Sequence, residues 1–128
     1  MQLNTTAKQE KGERGESIAA WYVQKKGYQV LQQHFTSRFG EIDLIARDGE
    51  QYVFIEVKYR VGENCGLPEE AVTESKMQKL FRAISAYVSQ RKIDNYRIDV
   101  VAIVENKTAR KVTVRLHKAV CADFNIGY

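Results

Sequence analysis

Carboxylates and a lysine occupy alternate positions in two short segments whose pattern is typical of a β-hairpin. The first segment carries Glu41 and Asp43, and the second carries Glu56 and Lys58. Side chains alternate between the two faces of a strand, so both members of each pair lie on one face. Paired carboxylates hold a hard divalent cation through oxygen, and a lysine beside them orients water or stabilises phosphoryl charge. The set therefore predicts metal-dependent hydrolysis of a phosphodiester.

The turn between the two segments determines which of these residues face each other. Asp48 and Gly49 give the strongest hairpin signal and predict a type I′ turn with both residues at its centre. The resulting facing pairs are Arg47 with Glu50, Asp43 with Phe54, and Glu41 with Glu56. Asp43 then lies diagonal to Glu56 at a Cβ separation of roughly 7–8 Å, so that their carboxylates can share one ion.

The other face of the hairpin is apolar and is predicted to lie in the core. Its residues are Ile42, Leu44, Ala46, Val53, Ile55 and Val57. A shift of one residue would bury the acids, so this pattern specifies the register strongly. The acids themselves repel one another unless a cation lies with them, and the candidates are Lys58, a divalent metal or both.

The remaining periodicities predict an α/β domain. Helices are predicted over residues 13–26, ended by Gly27, and from residue 73 or 74 to 91, capped by Thr73. Strands are predicted over residues 28–33, 39–46, 52–59, 96–104 and 111–117, with irregular tails over 1–11 and 119–128. The long crossover after the third strand implies a parallel pairing with the fourth. We therefore expect a mixed five-stranded sheet flanked by helices, in the order helix, three strands, helix, two strands.

Glu16 is unusual because it lies at the head of an apolar stripe on the first helix. Ala19, Ala20 and Val23 follow it at helical spacing on the same side. Two interpretations stay open at this point. Glu16 is a further ligand for the cation, or it is a first-turn acid that complements the positive end of the helix dipole.

The composition is that of one globular, cytoplasmic domain. The chain has 128 residues, of which 44% are hydrophobic, with one proline and eight glycines. No apolar run approaches the ~20 residues of a membrane span, so no membrane association is expected. The net charge of +4 allows a nucleic-acid partner without requiring one.

The histidines, the cysteines and the tryptophan are expected to have structural roles. His34 and His117 are isolated in the sequence, so neither is expected to bind a metal. Cys65 and Cys121 are far apart and are expected to be reduced thiols. Trp21 is expected to pack in the core or against a helix.

The chain resembles the YraN family of bacterial proteins, which is similar to archaeal Holliday junction resolvases of the PD-(D/E)XK, or restriction-endonuclease-like, superfamily. The resemblance covers roughly residues 12–104. It is carried by Gly12, residues 15–16, 27–28, 40–45 and 54–58, Arg60, Gly66, residues 71–73, Lys76 and residues 97–101. Three residues depart from the family pattern: His34 stands where Asn is usual, Thr36 where Arg is common, and Cys65 where Phe is common.

The resemblance implies a restriction-endonuclease-like domain with a metal-dependent nuclease site. Its catalytic residues are Asp43, Glu56 and Lys58, and Asp43, Glu56 and Glu16 hold Mg²⁺ or Mn²⁺. Arg60, Lys76 and Lys79 are expected to contact nucleic acid. The implied substrate is DNA, branched or junction DNA included, and related resolvases suggest a homodimer by analogy.

Two other classes of function stay open at this point. One is a non-catalytic nucleic-acid-binding module that retains the nuclease fold. The other is an interaction protein in which Lys58 bridges Glu56 and Glu41 in an ion cluster.

Overall fold

A five-stranded sheet lies between two helices in the computed structural model, which describes residues 7–62, 68 and 73–120. In chain order the elements are α1 (Ala7–Lys25), β1 (Gln29–Ser37), β2 (Gly40–Asp48), β3 (Gln51–Val61), α2 (Glu74–Arg91), β4 (Tyr96–Asn106) and β5 (Lys111–His117). The predicted α/β class and order of elements are confirmed. Cys65 and Cys121 lie outside the described residues, as do residues 1–6 and 121–128 of the predicted tails.

The first helix begins at Ala7, about two turns closer to the N-terminus than predicted. The predicted irregular tail is therefore wrong from residue 7 onward. Residues 7–11 are strong helix formers, and Glu10 complements the helix dipole in the first turn. Gly12 does not interrupt the helix, because a single glycine costs only about 1 kcal/mol within it.

Gly27 ends α1 as the sequence predicts. It has a φ of 96°, and its N–H donates to the carbonyl of Gln24. The N–H of Tyr28 donates to the carbonyl of Val23 at 2.9 Å, which completes a Schellman motif. At the other helix, Thr73 accepts a hydrogen bond from the Lys76 N–H and caps α2 as predicted.

The sheet is mixed, with strands in the order β1-β2-β3-β4-β5. Only β3 and β4 run parallel, from the pair Tyr52–Tyr96 to the pair Val61–Glu105. The crossover through α2 therefore joins two parallel neighbours, as expected from its length. Among the described residues, neither helix has an apolar stretch long enough to span a membrane.

The predicted hairpin register is wrong. The two central residues of the turn lie one position further along the chain than predicted, which shifts the strand pairing by two residues. Asp48 pairs with Gln51, so Gly49 and Glu50 are the central residues of the turn. Gly49 has a φ of 63°, and Asp48 and Glu50 are not among the positive-φ residues, which is the pattern of a type II′ turn and not of type I′. Asp48 is instead held by long-range contacts, because its carboxylate accepts a hydrogen bond from Arg97 at 2.9 Å.

The core has two layers, one on each side of the sheet. Ala19, Ala20 and Val23 of α1 pack on one side against Leu44, Ala46, Val53 and Ile55. Met77, Leu80, Ala83 and Ile84 of α2 pack on the other side against Ile45 and Phe54. Ile42, predicted to share a face with Leu44, lies in the α2 layer. The regular alternation of β2 is thus broken between these two residues, next to Asp43.

A polar network around Glu105 links the first helix to the sheet. Glu105 of β4 accepts hydrogen bonds from Arg14 of α1 at 2.6 and 2.8 Å, and from the hydroxyl of Tyr59. Chiefly through the Arg14 hydrogen bond, these partners lower the pKa of Glu105 to about 2. The network joins the N-terminal half of α1 to β4, and so fixes the helix segment that carries Glu16.

Gly15 is required where α1 crosses β3. A Cβ at Gly15 would lie 2.8 Å from the Cβ of Tyr59, whereas a Cβ at Gly12 would have open space around it. We expect Gly15→Ala to destabilise the protein by about 1–3 kcal/mol through overpacking. Gly12→Ala, the matched control in the same helix, should stabilise it by about 0.5–1 kcal/mol. Urea unfolding checks both values, and a stabilised Gly15→Ala variant would contradict this packing.

Candidate metal centre

The predicted catalytic residues come together within β2 and β3, beside the first pair of the ladder that joins the two strands. Lys58 Nζ lies 2.9 Å from Glu56 Oε1. The side chains of Lys58 and Glu56 are 15% and 16% exposed, respectively. They lie two residues apart on β3 and therefore share one face of the strand. The ladder between β2 and β3 begins at Leu44 and Ile55. Just beyond it, Asp43 Oδ2 accepts a hydrogen bond from the backbone N–H of Val57 at 2.8 Å.

Asp43 has the most strongly perturbed carboxyl group of the site. Burial raises the pKa of Asp43 to about 8, and the negative charge of Glu56 adds to this effect. The hydrogen bond from Val57 and the positive charge of Lys58 oppose the shift without cancelling it. The groups that surround Asp43 therefore favour its protonated form near neutral pH.

Glu16 is brought to the site by α1, and a histidine accompanies it. Among the described residues, Glu16, His34 and Asp43 each offer one ligand atom, and these three atoms lie within 4.8 Å of one another. His34 Nδ1 lies 2.9 Å from Glu16 Oε1. Glu56 is not a member of this group of three. Its Oε1 lies 2.9 Å from Lys58 Nζ instead. The site thus contains carboxylates from α1, β2 and β3.

His34 was missed by the sequence interpretation, which treated it as an isolated residue. It lies within β1, where its φ is 59°. The β1–β2 ladder pairs the residues on either side of His34 with those on either side of Asp43. A prediction of how β1 pairs with β2 would therefore have placed His34 at the site. The hydrogen bond to Glu16 raises the pKa of His34 above its ordinary value.

Glu41 does not take the position predicted for it opposite Glu56. Its Oε1 lies 3.7 Å from His34 Nε2, and its side chain is 55% exposed. The two-residue change of register at the turn explains the difference, because it places Glu56 across from the region of Asp43. Glu41 thus lies at the solvent-exposed rim of the site.

Basic residues border the carboxylates on the α2 side. Lys58 lies close enough to Lys76, in the first turn of α2, to lower the pKa of its ammonium group. Arg60 adds a smaller effect of the same sign. Lys79 is exposed one turn further along α2, and its carbonyl lies 2.9 Å from where a Cβ on Gly40 would be. Lys58, Lys76 and Arg60 thus form a cationic group beside the acids.

The pKa of Asp43 gives the metal-free protein a specific pH dependence. The carboxyl group ionises near 3.8 in the unfolded chain but near 8 in the folded state. The folded state retains this proton to higher pH, so the contribution of Asp43 to stability is largest below about pH 4 and falls towards about pH 8. Asp43→Asn should remove this fall, because the amide oxygen still accepts from Val57 and carries no charge. Thermal unfolding in EDTA measures the effect, and parallel pH profiles for both proteins would contradict it.

Comparison with known proteins identifies a family and a set of bacterial relatives. The sequence model of the uncharacterised protein family UPF0102 matches residues 15–103. A UPF0102 protein of Syntrophus aciditrophicus is 44% identical over 94 residues, which are 72% of this chain and 74% of the relative. One from Clostridium botulinum is 39% identical over 110 residues, or 84% and 89% of the two chains. One from Vibrio parahaemolyticus is 41% identical over 100 residues, or 76% and 83%.

Proposed function

The chain belongs to the uncharacterised protein family UPF0102, and from its site we propose that it is a metal-dependent nuclease that hydrolyses phosphodiester bonds in DNA. The proposal includes branched or junction DNA as a substrate, a restriction-endonuclease-like assignment of the α/β fold, and a cytoplasmic location. A homodimer is added by analogy with the resolvases that the sequence resembles.

The observation that carries the proposal is the crowding of carboxylates around Asp43. Burial and the charge of Glu56 raise its pKa to about 8 although Lys58 is close by. An arrangement of this kind disfavours the metal-free, ionised state and favours any ligand that brings positive charge. Oxygen donors from three elements are the donor set that Mg²⁺ and Mn²⁺ take in proteins. The residues therefore fit a divalent cation.

Asp43, Glu56 and Glu16 are the residues that would hold the cation. When bound, it would supply a Lewis acid that polarises a phosphoryl oxygen and a means of activating water. Asp43 is fixed by the N–H of Val57, and α1 is fixed by the Arg14–Glu105 pair two residues from Glu16. Rigid supports of this kind keep ligands in place without further ordering when substrate binds.

Lys58 has a role separate from that of the carboxylates. Its ammonium group lies 2.9 Å from Glu56, so it is held beside the reacting centre in a largely buried position. A positioned ammonium donates hydrogen bonds to charge that develops on the phosphoryl group. In this proposal Lys76 binds a flanking phosphate as a point charge, and Arg60 binds one through its planar donors. Lys79 is assigned to the outer part of the same surface.

One observation favours the non-catalytic binding module as a second candidate. Lys58 is engaged in a 2.9 Å ion pair with Glu56, as it would be if the acids and the lysine had only a structural role. The surrounding cations would still bind nucleic acid in that case. Only an assay that separates binding from cleavage distinguishes these two functions.

The experiment is cleavage of end-labelled linear, flap and four-way DNA with Mg²⁺, Mn²⁺ or EDTA, using the natural chain and Asp43→Asn. Metal-dependent cleavage that the variant loses supports the nuclease. Salt-sensitive binding of DNA without cleavage contradicts the nuclease and supports the binding module. Absence of both binding and cleavage contradicts both functions.

A further inference from the structure

His34 has a ring nitrogen among the carboxylates of the site, at a spacing typical of ligands to one ion. Its Nδ1 lies 2.9 Å from Glu16 Oε1, and one ligand atom of Asp43 lies within 4.8 Å of both groups. In a centre with metal–ligand bonds of about 2.1 Å, two ligands at right angles lie about 3.0 Å apart. The nitrogen of His34 and the oxygen of Glu16 therefore have the separation of neighbouring ligands.

The backbone holds His34 opposite Asp43. These two residues lie between consecutive pairs of the β1–β2 ladder, with regular pairing on either side. Glu16 of α1 brings its carboxylate to the same two residues. Three separate elements thus place an imidazole and two carboxylates together, which no local feature of any one element requires.

The charges with the largest effect on His34 are negative. They come from Glu16, Glu41 and Asp43, while the imidazole itself is about half exposed, with 48% of its side-chain surface accessible. A half-exposed ring contributes little to core packing, so burial does not account for its position. The contacts of His34 with the carboxylates of the site explain its position.

We infer that His34 supplies a nitrogen ligand to the cation of this site and shifts its metal preference from Mg²⁺ towards Mn²⁺. The inference rests on the metal centre of the proposed function. Magnesium takes oxygen ligands, whereas imidazole suits transition ions that accept both nitrogen and oxygen. Without His34, the site would offer only carboxylate oxygens from Glu16, Asp43 and Glu56.

The test measures binding of Mn²⁺ to the metal-free protein without nucleic acid, so it does not depend on activity. His34→Asn is the informative variant, because the asparagine amide nitrogen replaces Nδ1 as a partner of Glu16 while the imidazole is lost. Asp43→Asn identifies the ion at this site. Electron paramagnetic resonance gives the Mn²⁺ affinity, pulsed measurements detect ¹⁴N coupled to the bound ion, and competition gives the Mg²⁺ affinity.

We expect the natural chain to bind Mn²⁺ with ¹⁴N coupling. His34→Asn should lose the coupling and bind Mn²⁺ about 10- to 100-fold more weakly, the range found when groups that support a metal site are removed. Its Mg²⁺ affinity should change by less than about threefold, because magnesium gains little from imidazole. Asp43→Asn should lose Mn²⁺ binding.

Other outcomes separate this inference from the proposed function. Mn²⁺ binding that needs Asp43 but shows no ¹⁴N coupling overturns the role of His34 and leaves the carboxylate site intact. Mn²⁺ binding that persists in Asp43→Asn places the ion elsewhere and overturns the inference. Failure of the natural chain to bind Mn²⁺ overturns both the inference and the metal centre.

Discussion

Replacement of Lys58 with methionine is expected to lower the rate of metal-dependent DNA cleavage by about 10²–10³-fold, the cost of losing one donor aimed at transition-state charge. Methionine keeps an unbranched apolar side chain at this largely buried position, so the fold should be retained. Affinity for the cation should not fall, because the change removes a positive charge 2.9 Å from Glu56. Single-turnover cleavage and metal titration of the same preparation measure the two effects.

Lys25→Met is the matched control for this prediction. Lys25 is exposed in the last turn of α1, and its ammonium group lies 5.6 Å from the centre of the Trp21 ring. Loss of this lysine removes the same charge away from the carboxylates, so the cleavage rate should be unchanged. A Lys58→Met variant that cleaves as fast as the control would show that Lys58 has only a structural role.

Asp99→Ala is expected to have the largest effect on stability, a loss of about 3–5 kcal/mol. Asp99 is fully buried and accepts hydrogen bonds from the Tyr28 hydroxyl at 2.7 Å, from Arg97 Nε at 3.0 Å and from the Ala119 N–H at 3.0 Å. Its removal leaves the guanidinium of Arg97, itself only 14% exposed, without its buried partner. Folded domains are stable by only about 5–15 kcal/mol, so this change removes a large part of the total.

Asp48→Ala separates the buried partner of Arg97 from its exposed partner. Asp48 also accepts from Arg97, at 2.9 Å, but its side chain is 39% exposed. Solvent screens this pair, so its loss should cost less than about 1 kcal/mol. Urea unfolding of both variants gives the two values. Equal destabilisation by the two substitutions would contradict the assignment of Asp99 as the central acceptor of the network.

The part of the site that the sequence predicts well depends on local periodicity. Glu56 and Lys58 share a face because alternation along β3 is a property of that strand alone. Glu16 could be placed on the sheet-facing stripe of α1 for the same reason, since Ala19, Ala20 and Val23 are buried. Caps at Thr73 and Gly27 are also local, and both were predicted correctly.

The errors concern features that depend on contacts distant in sequence. Both Asp48 and Glu50 are compatible with a place beside Gly49 in a two-residue turn, and the long-range pairing of Asp48 with Arg97 accompanies the observed choice. His34 reaches the site through strand pairing with β2, which its isolated position in the sequence does not reveal.

Trp21 shows the same limit for packing. The sequence predicts that it packs in the core or against a helix, but 60% of its surface is exposed, and Lys25 of the same helix lies over its ring. The sheet-facing stripe of α1 consists of small residues, which bring the helix close to the strands and leave Trp21 outside this contact. A large apolar residue is thus not placed in the core by its type alone.

Anomalous diffraction from crystals of the natural chain soaked in Mn²⁺ tests most directly whether the clustered carboxylates bind a divalent ion. The expected result is an anomalous peak within about 2.5 Å of carboxylate oxygens of both Asp43 and Glu56. A saturated crystal with no peak between these two side chains would contradict the metal centre and, with it, the proposed nuclease.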